Sequence, residues 1–177
     1  MKPGGIIRVA VPDLESIVAQ YTRLLPQALA GDKSAQERYD WIVIELFDQM
    51  VRNVTGGEML AYWAQRPMPA EDFVYARMGS EAKNAIAALR EKKDTVLPYP
   101  TPDDPMQIGQ FRLSGEVHQW MYDRYSLGRL LAQAGFHDVS VCPAQQSRIP
   151  DFNTYGLDIE PDGSVRKPDS LFMEATR

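Results

Sequence analysis

One stretch constrains this chain more than any other: His118 to Cys142, HQWMYDRYSLGRLLAQAGFHDVSVC. A polar lead-in is followed by two candidate caps, Asp123 and Ser126, either of which can accept from the free N–H groups of a first helical turn. Leu127, Leu130, Leu131 and Ala134 then recur at i, i+3, i+4 and i+7, the spacing of one apolar helix face. Gly135 stands where a chain leaves a helix through left-handed backbone, and Phe136 can fold back over the last turn. His137 to Cys142 alternates, with Val139 and Val141 on one side, so a strand over 137–142 follows at once. Helix, glycine turn, strand is an α/β unit.

The N-terminus supplies a second strand. Ile6 to Val11, IIRVAV, is a nearly continuous apolar run between Pro3-Gly4-Gly5 and Pro12-Asp13, the reading of a strand buried on both faces as in a parallel sheet. Asp13 can cap the next helix, whose stripe is Leu14, Ile17, Val18, Tyr21, Leu24 and Leu25 until Pro26 intervenes. Gly31-Asp32 marks a turn. A second, thickly apolar helix is expected from about Ala35 to Val54, stopped by Gly56-Gly57. Glu58 to Trp63 reads as a short helical turn broken by Pro67 and Pro69. Glu71 to Lys93 reads as a helix with an interruption at Gly79-Ser80. Pro98, Pro100, Pro102 and Pro105 predict an irregular connection. After the α/β unit come a turn-rich loop, Pro143 to Pro168, and a closing strand over 170–176, SLFMEAT. The order predicts an α/β fold: a small mixed sheet of strands 6–11, 137–142 and 170–176, carried in one domain with a mainly helical insertion or lid over 14–115.

Composition excludes several classes. The chain has 177 residues, and 44% hydrophobic with 24% charged residues is an ordinary globular balance. A net charge of −5, with Lys92-Lys93 and Arg166-Lys167 the only adjacent basic pairs, gives no nucleic-acid surface. The single cysteine, Cys142, fits a reducing cytoplasm. No apolar run approaches a membrane span of about 18 residues, and MKPGGIIRVAVPD lacks the layout of a signal peptide. Two histidines and one cysteine, well separated, give no zinc spacing, and no Gly-x-Ser-x-Gly elbow appears. DIEPDG, 158–163, lacks calcium-ligand spacing; Pro161-Asp162-Gly163 is a turn.

Taken together, KPGGIIRVAVPDL, YSLGRLLAQAGFHDVSV and SLFMEATR resemble three features of class I S-adenosylmethionine-dependent methyltransferases. These are the Lys-Pro-Gly-Gly turn with the fifth strand, the following helix with the sixth strand, and the antiparallel seventh strand. HQWMYDRYSL and DIEPDGSVRKPDSLFMEA are similar to a small bacterial subgroup of predicted methyltransferases. The resemblance spans residues 2–20 and 116–177. It implies that the last strand lies between the other two and runs antiparallel, leaving IIRVAV at an edge. It implies S-adenosylmethionine as cofactor and a small polar acceptor as partner, with saccharides as the candidate class. The family's glycine-rich loop after its first strand has no counterpart in this sequence. The expectation is therefore a C-terminal half: a fragment, a mis-started product, or a partner of a separate N-terminal half. The alternative is a non-catalytic module that persists by oligomerising, since an unpartnered apolar edge invites another chain.

Ligands of open α/β sheets sit beyond the carboxyl ends of parallel strands. Asp13 lies there, and either faces an acceptor hydroxyl or amine or simply caps its helix. His118, with an ordinary pKa of about 6.5, is a candidate general base for a hydroxyl acceptor; the alternative is a histidine that holds its loop. Trp120 and Tyr122 either line an acceptor pocket or anchor the helical insertion. Arg166 can grip an anionic acceptor or sit solvated in a hairpin.

Overall fold

In a computed structural model, the structure describes residues 1–91 and 99–177. Lys92-Lys93, Pro98 and the end of the helix expected to reach Lys93 lie outside the described residues. The chain folds as two compact units, one of residues 1–16, 77–81 and 121–177, the other of residues 17–76 and 82–120.

The first unit holds a three-stranded sheet of β1 (Ile6–Pro12), β2 (His137–Val141) and β3 (Ser170–Thr176), in the order β1-β3-β2. β3 lies between the other two and runs antiparallel to both, with Arg8 opposite Glu174 and Val9 opposite Met173. The sheet is therefore antiparallel at every pairing, not mixed. The expectation of a doubly buried first strand also fails. Among the described residues β1 has a single neighbour and no fully buried residue, whereas β3 carries five consecutive buried residues, Leu171 to Ala175. A continuous apolar run records how much surface a strand covers, not how its neighbours run.

The α/β unit folds as its sequence requires. Its helix, α6 (Arg124–Gln133; α1 to α5 are defined below), is closed by a reciprocal cap. Asp123 Oδ1 accepts from Ser126 N at 2.7 Å, and Ser126 Oγ accepts from Asp123 N at 3.0 Å. Both candidate caps are thus used in one capping box. Gly135 has φ of 84°, the left-handed exit that a side chain resists, and Phe136 returns to the core. Leu127 and Leu131 of α6 pack with Leu171, Met173 and Ala175, and Ile7, Val9 and Val11 complete this face. Burying each leucine contributes about 2 kcal/mol. Leu130 and Ala134, expected on the same stripe, are exposed. In β2 a register shift between His137 and Ser140, with Asp138 at φ 49°, breaks the alternation. Val139 stays in the core while Val141 is left outside, and the strand ends at Val141 rather than Cys142.

Helices α1 (Leu14–Leu29) and α4 (Glu71–Glu91) contribute residues to both units. α1 runs through Pro26 instead of stopping there; proline removes one donor but its φ is helical, and Ala30 N still bonds the Pro26 carbonyl at 3.1 Å. α4 breaks at Gly79, with φ 63° and ψ −143°, where interruption is expected.

The second unit is helical. α2 (Lys33–Val51) is capped by Asp32, whose Oδ1 accepts from Ala35 N at 3.1 Å, and ends three residues before Val54. Its inward residues are Trp41, Ile42, Glu45 and Asp48, while Phe47 and Val51 are exposed. α3 (Gly57–Trp63) brings Tyr62 and Trp63 to Trp41, with ring centroids 5.3 and 6.1 Å apart. A helix not expected from the sequence, α5 (Pro105–Arg112), follows the prolines. Asp104 caps it and Pro105 opens it, where a missing N–H costs nothing.

Candidate functional site

Three chain segments meet at the end of β1. The Asp13 N–H donates to the Asp169 carbonyl at 2.9 Å, and the Leu14 N–H donates to the Tyr122 carbonyl at 3.1 Å, so Asp13 and Tyr122 form a parallel bridge. Strand β1, the start of β3 and the loop leading into α6 are tied together there. Asp13 Oδ1 accepts from Glu15 N and Ser16 N at 3.1 and 3.3 Å, so its carboxylate caps α1. Ser16 Oγ accepts from the buried Arg77 at 3.0 Å. The Tyr122 side chain packs against the apolar face of the sheet.

Of the five residues singled out by sequence, the structure joins Asp13 and Tyr122. Arg166 belongs to the same unit, with its Nε 3.2 Å from Glu160. The Arg166 carbonyl accepts from Ser80 N at 3.2 Å, and any Cβ at Gly79 would collide with that carbonyl. Glycine is needed at 79 for both its φ and this approach. His118 and Trp120 fall in the helical unit. His118 is half-buried and its N–H donates to the Gln49 carbonyl at 2.9 Å; Trp120 is 64% exposed.

The other face of the sheet carries a polar centre. Arg8 and Glu174, cross-strand partners, are 4% and 1% exposed at their side chains and lie 2.9 Å apart. Arg8 Nε also pairs with Asp158 at 2.6 Å, and its terminal nitrogens donate to Cys142 Sγ and to the carbonyls of Pro143, Ala144 and Gln146 at 2.8–3.2 Å. The guanidinium lies over the rings of Phe152 and Phe172, 4.7 and 5.3 Å from their centroids. Glu174 accepts from Ser147 Oγ at 2.5 Å and from Arg148 N at 2.8 Å. Residues 142–158 are thus pinned across this face by one arginine and one glutamate.

Electrostatics follows from that geometry. Burial alone would raise the Glu174 pKa, but its bonds from Ser147, Arg148 and Arg8 outweigh it and hold the carboxyl below the usual range. Burial would lower the Arg8 pKa, and its hydrogen bonds to Asp158 and Glu174 reverse that. Burial pushes the Cys142 thiol up, with the Arg8 charge opposing, so Cys142 is not an activated nucleophile. Beside the network opens a cleft of 430 Å³ lined by Gln145, Gln146, Ser147, Asp151, Phe152 and Asn153 among others.

Sequence reasoning did not single out Arg8 and Glu174, although a signal was present. Each is the one charged residue of its strand, and the opposite signs meet once the strands pair antiparallel. No family model, curated protein or solved structure matches this chain.

Proposed function

We propose that this chain supplies the acceptor-binding side of an S-adenosylmethionine-dependent methyltransferase, with a small polar molecule as acceptor and saccharides as the candidate class. The observation that carries the reading is the strand order β1-β3-β2 with the last strand central and antiparallel, the arrangement implied by the resemblance of KPGGIIRVAVPDL, YSLGRLLAQAGFHDVSV and SLFMEATR. The residues present do not make a cradle for the cofactor. β1 runs through Pro12 into the Asp13 cap, and β2 runs into Cys142-Pro143, so no glycine-rich turn after either strand offers its N–H groups to a ligand.

Acceptor binding then rests on Asp13 and Tyr122, which the fold holds together at the end of β1. Arg166, of the same unit, keeps a proposed role in acceptor contact. Titration with a panel of neutral saccharides, followed by NMR of the protein's backbone amides, tests this. Saturable binding that shifts the Asp13 and Tyr122 amides and weakens in Asp13→Asn supports the reading. A panel without binding, together with no response to S-adenosylmethionine in a calorimeter, overturns it.

A second reading is favoured by the edge of the sheet. Among the described residues β1 pairs only with β3, leaving one side of Ile6–Val11 open, with no lysine, proline or bulge to block it. We infer on that ground an interaction module that oligomerises, and light scattering at high micromolar concentration measures it. A monodisperse monomer removes this reading.

A further inference from the structure

Two clefts adjoin at the end of α2, wholly inside the helical unit, and neither has a part in the reading above. One of 190 Å³ is lined by Asp48, Arg52 and Glu58; the other, of 450 Å³, is walled by Val54, Pro102 and Phe111. They share Asn53, Val54 and Tyr99, so a polar end opens into an apolar, aromatic one. The larger cleft is within the size range of small-molecule sites.

The charges decide what fits. Asp48 and Arg52 form an ion pair with side chains 3% and 8% exposed, and Arg52 also reaches Glu116 at 3.4 Å. Asp48 Oδ1 accepts from Glu58 N at 2.7 Å, and Glu116 accepts from Gly56 N and Thr55 Oγ at 3.0 Å. Arg112 donates to the carbonyls of Met50 and Val51 at 3.0 and 3.1 Å and to Asn53 Oδ1 at 3.4 Å. Apart from Arg52 Nε, a buried donor with no acceptor among the described residues, the polar atoms named here are committed to one another or to the backbone. The Glu58 carboxylate, in contrast, has no hydrogen bond or ion pair among the described residues and lies exposed on the cleft wall. Among the described residues named here, three carboxylates (Asp48, Glu58, Glu116) face two guanidiniums (Arg52, Arg112), one negative charge in excess.

An anion meets the uncommitted Glu58 and finds Arg52 already neutralised. A neutral apolar molecule gains the aromatic wall but not the carboxylate. A cation with an apolar body gains both, since the ring faces of Tyr99 and Phe111 attract positive charge as well as hydrocarbon. We propose that this pair of clefts binds a small organic ammonium ion with an apolar or aromatic body.

The test titrates the full chain with benzylammonium, neutral benzyl alcohol and benzoate, following backbone amides by NMR. Benzylammonium is expected to bind saturably and to shift the amides of Asn53 to Glu58, with benzyl alcohol weaker and benzoate weakest. Glu58→Gln, at an exposed position, should lower benzylammonium affinity about tenfold, and Tyr99→Leu, which keeps an apolar wall without the ring, about threefold. Unchanged melting temperature in both variants assigns the losses to the site. The proposal is overturned by benzoate binding as tightly as benzylammonium, by unaltered affinity in Glu58→Gln, or by no saturable binding of benzylammonium.

Discussion

Arg8 and Arg52 are both buried arginines paired with buried carboxylates, and they are used differently. Every nitrogen of Arg8 is bonded, to Asp158, Glu174, Cys142 and three carbonyls, and its faces lie on two phenylalanine rings. Arg52 pairs with Asp48 and Glu116, but its Nε is buried with no acceptor among the described residues, and the side chain borders a cleft. An unbonded buried donor costs about 1–3 kcal/mol. The saturated arginine fastens a loop to a sheet. The unsaturated one braces the turn between α2 and α3 beside open space, where polar satisfaction is incomplete.

The comparison breaks most visibly at Glu174. Glu174→Ala leaves Arg8 charged, buried and short of its central partner, and is expected to cost about 3–5 kcal/mol in urea unfolding. The triple variant Arg8→Met/Asp158→Asn/Glu174→Leu should recover most of that loss, because it removes the arginine together with both of its carboxylate partners. The same carboxylate sets the acid limit. Its folded pKa lies below the unfolded value of about 4.3, so its stabilisation is complete above that pH and is lost as pH falls through the folded value. Unfolding midpoints measured between about pH 6 and pH 3 should fall more steeply in the native chain than in Glu174→Gln.

A smaller effect is expected in the helical unit. Asp48→Ala strands Arg52 and the Glu58 N–H, yet Glu116 still faces the guanidinium, so the cost should be about 2 kcal/mol in the same assay. A loss equal to that of Glu174→Ala would mean that the two arginines are equivalent. Ser147→Ala sharpens the comparison at the fine end: it removes one of several donors to Glu174 and should cost about 1 kcal/mol.

How much of this was legible in the sequence differs between elements. Asp123, Gly135 and the leucine spacing specify α6 because caps and turns are local chemistry. The limits of β3 were legible for the same reason, as turn formers bracket SLFMEAT. Pro26 misled, because one missing donor does not end a helix that Ile17 and Leu24, both fully buried, anchor. α5 was hidden behind its prolines, although Asp104-Pro105 is a good helix start. Phe47 and Val51 looked like core, whereas Glu45 and Asp48 hold the buried positions: Glu45 accepts from Trp41 Nε1 at 2.9 Å, a partner no hydropathy pattern contains. Of the candidate site, the sequence order puts Asp13 and the loop that carries Tyr122 at one sheet edge, and the backbone bridge between them is seen only in the structure. The Arg8–Glu174 pair depends on register between strands more than 160 residues apart in sequence, which local reading does not supply.

The lone thiol carries a practical consequence. Cys142 sits under Arg8, accepting its N–H at 3.1 Å, at the first residue of the loop that the arginine holds down. Its elevated pKa and this contact make it a slow target for alkylating reagents while the loop is seated. Because the chain has no other cysteine, the labelling rate counts how often that loop lifts away, with no engineered probe.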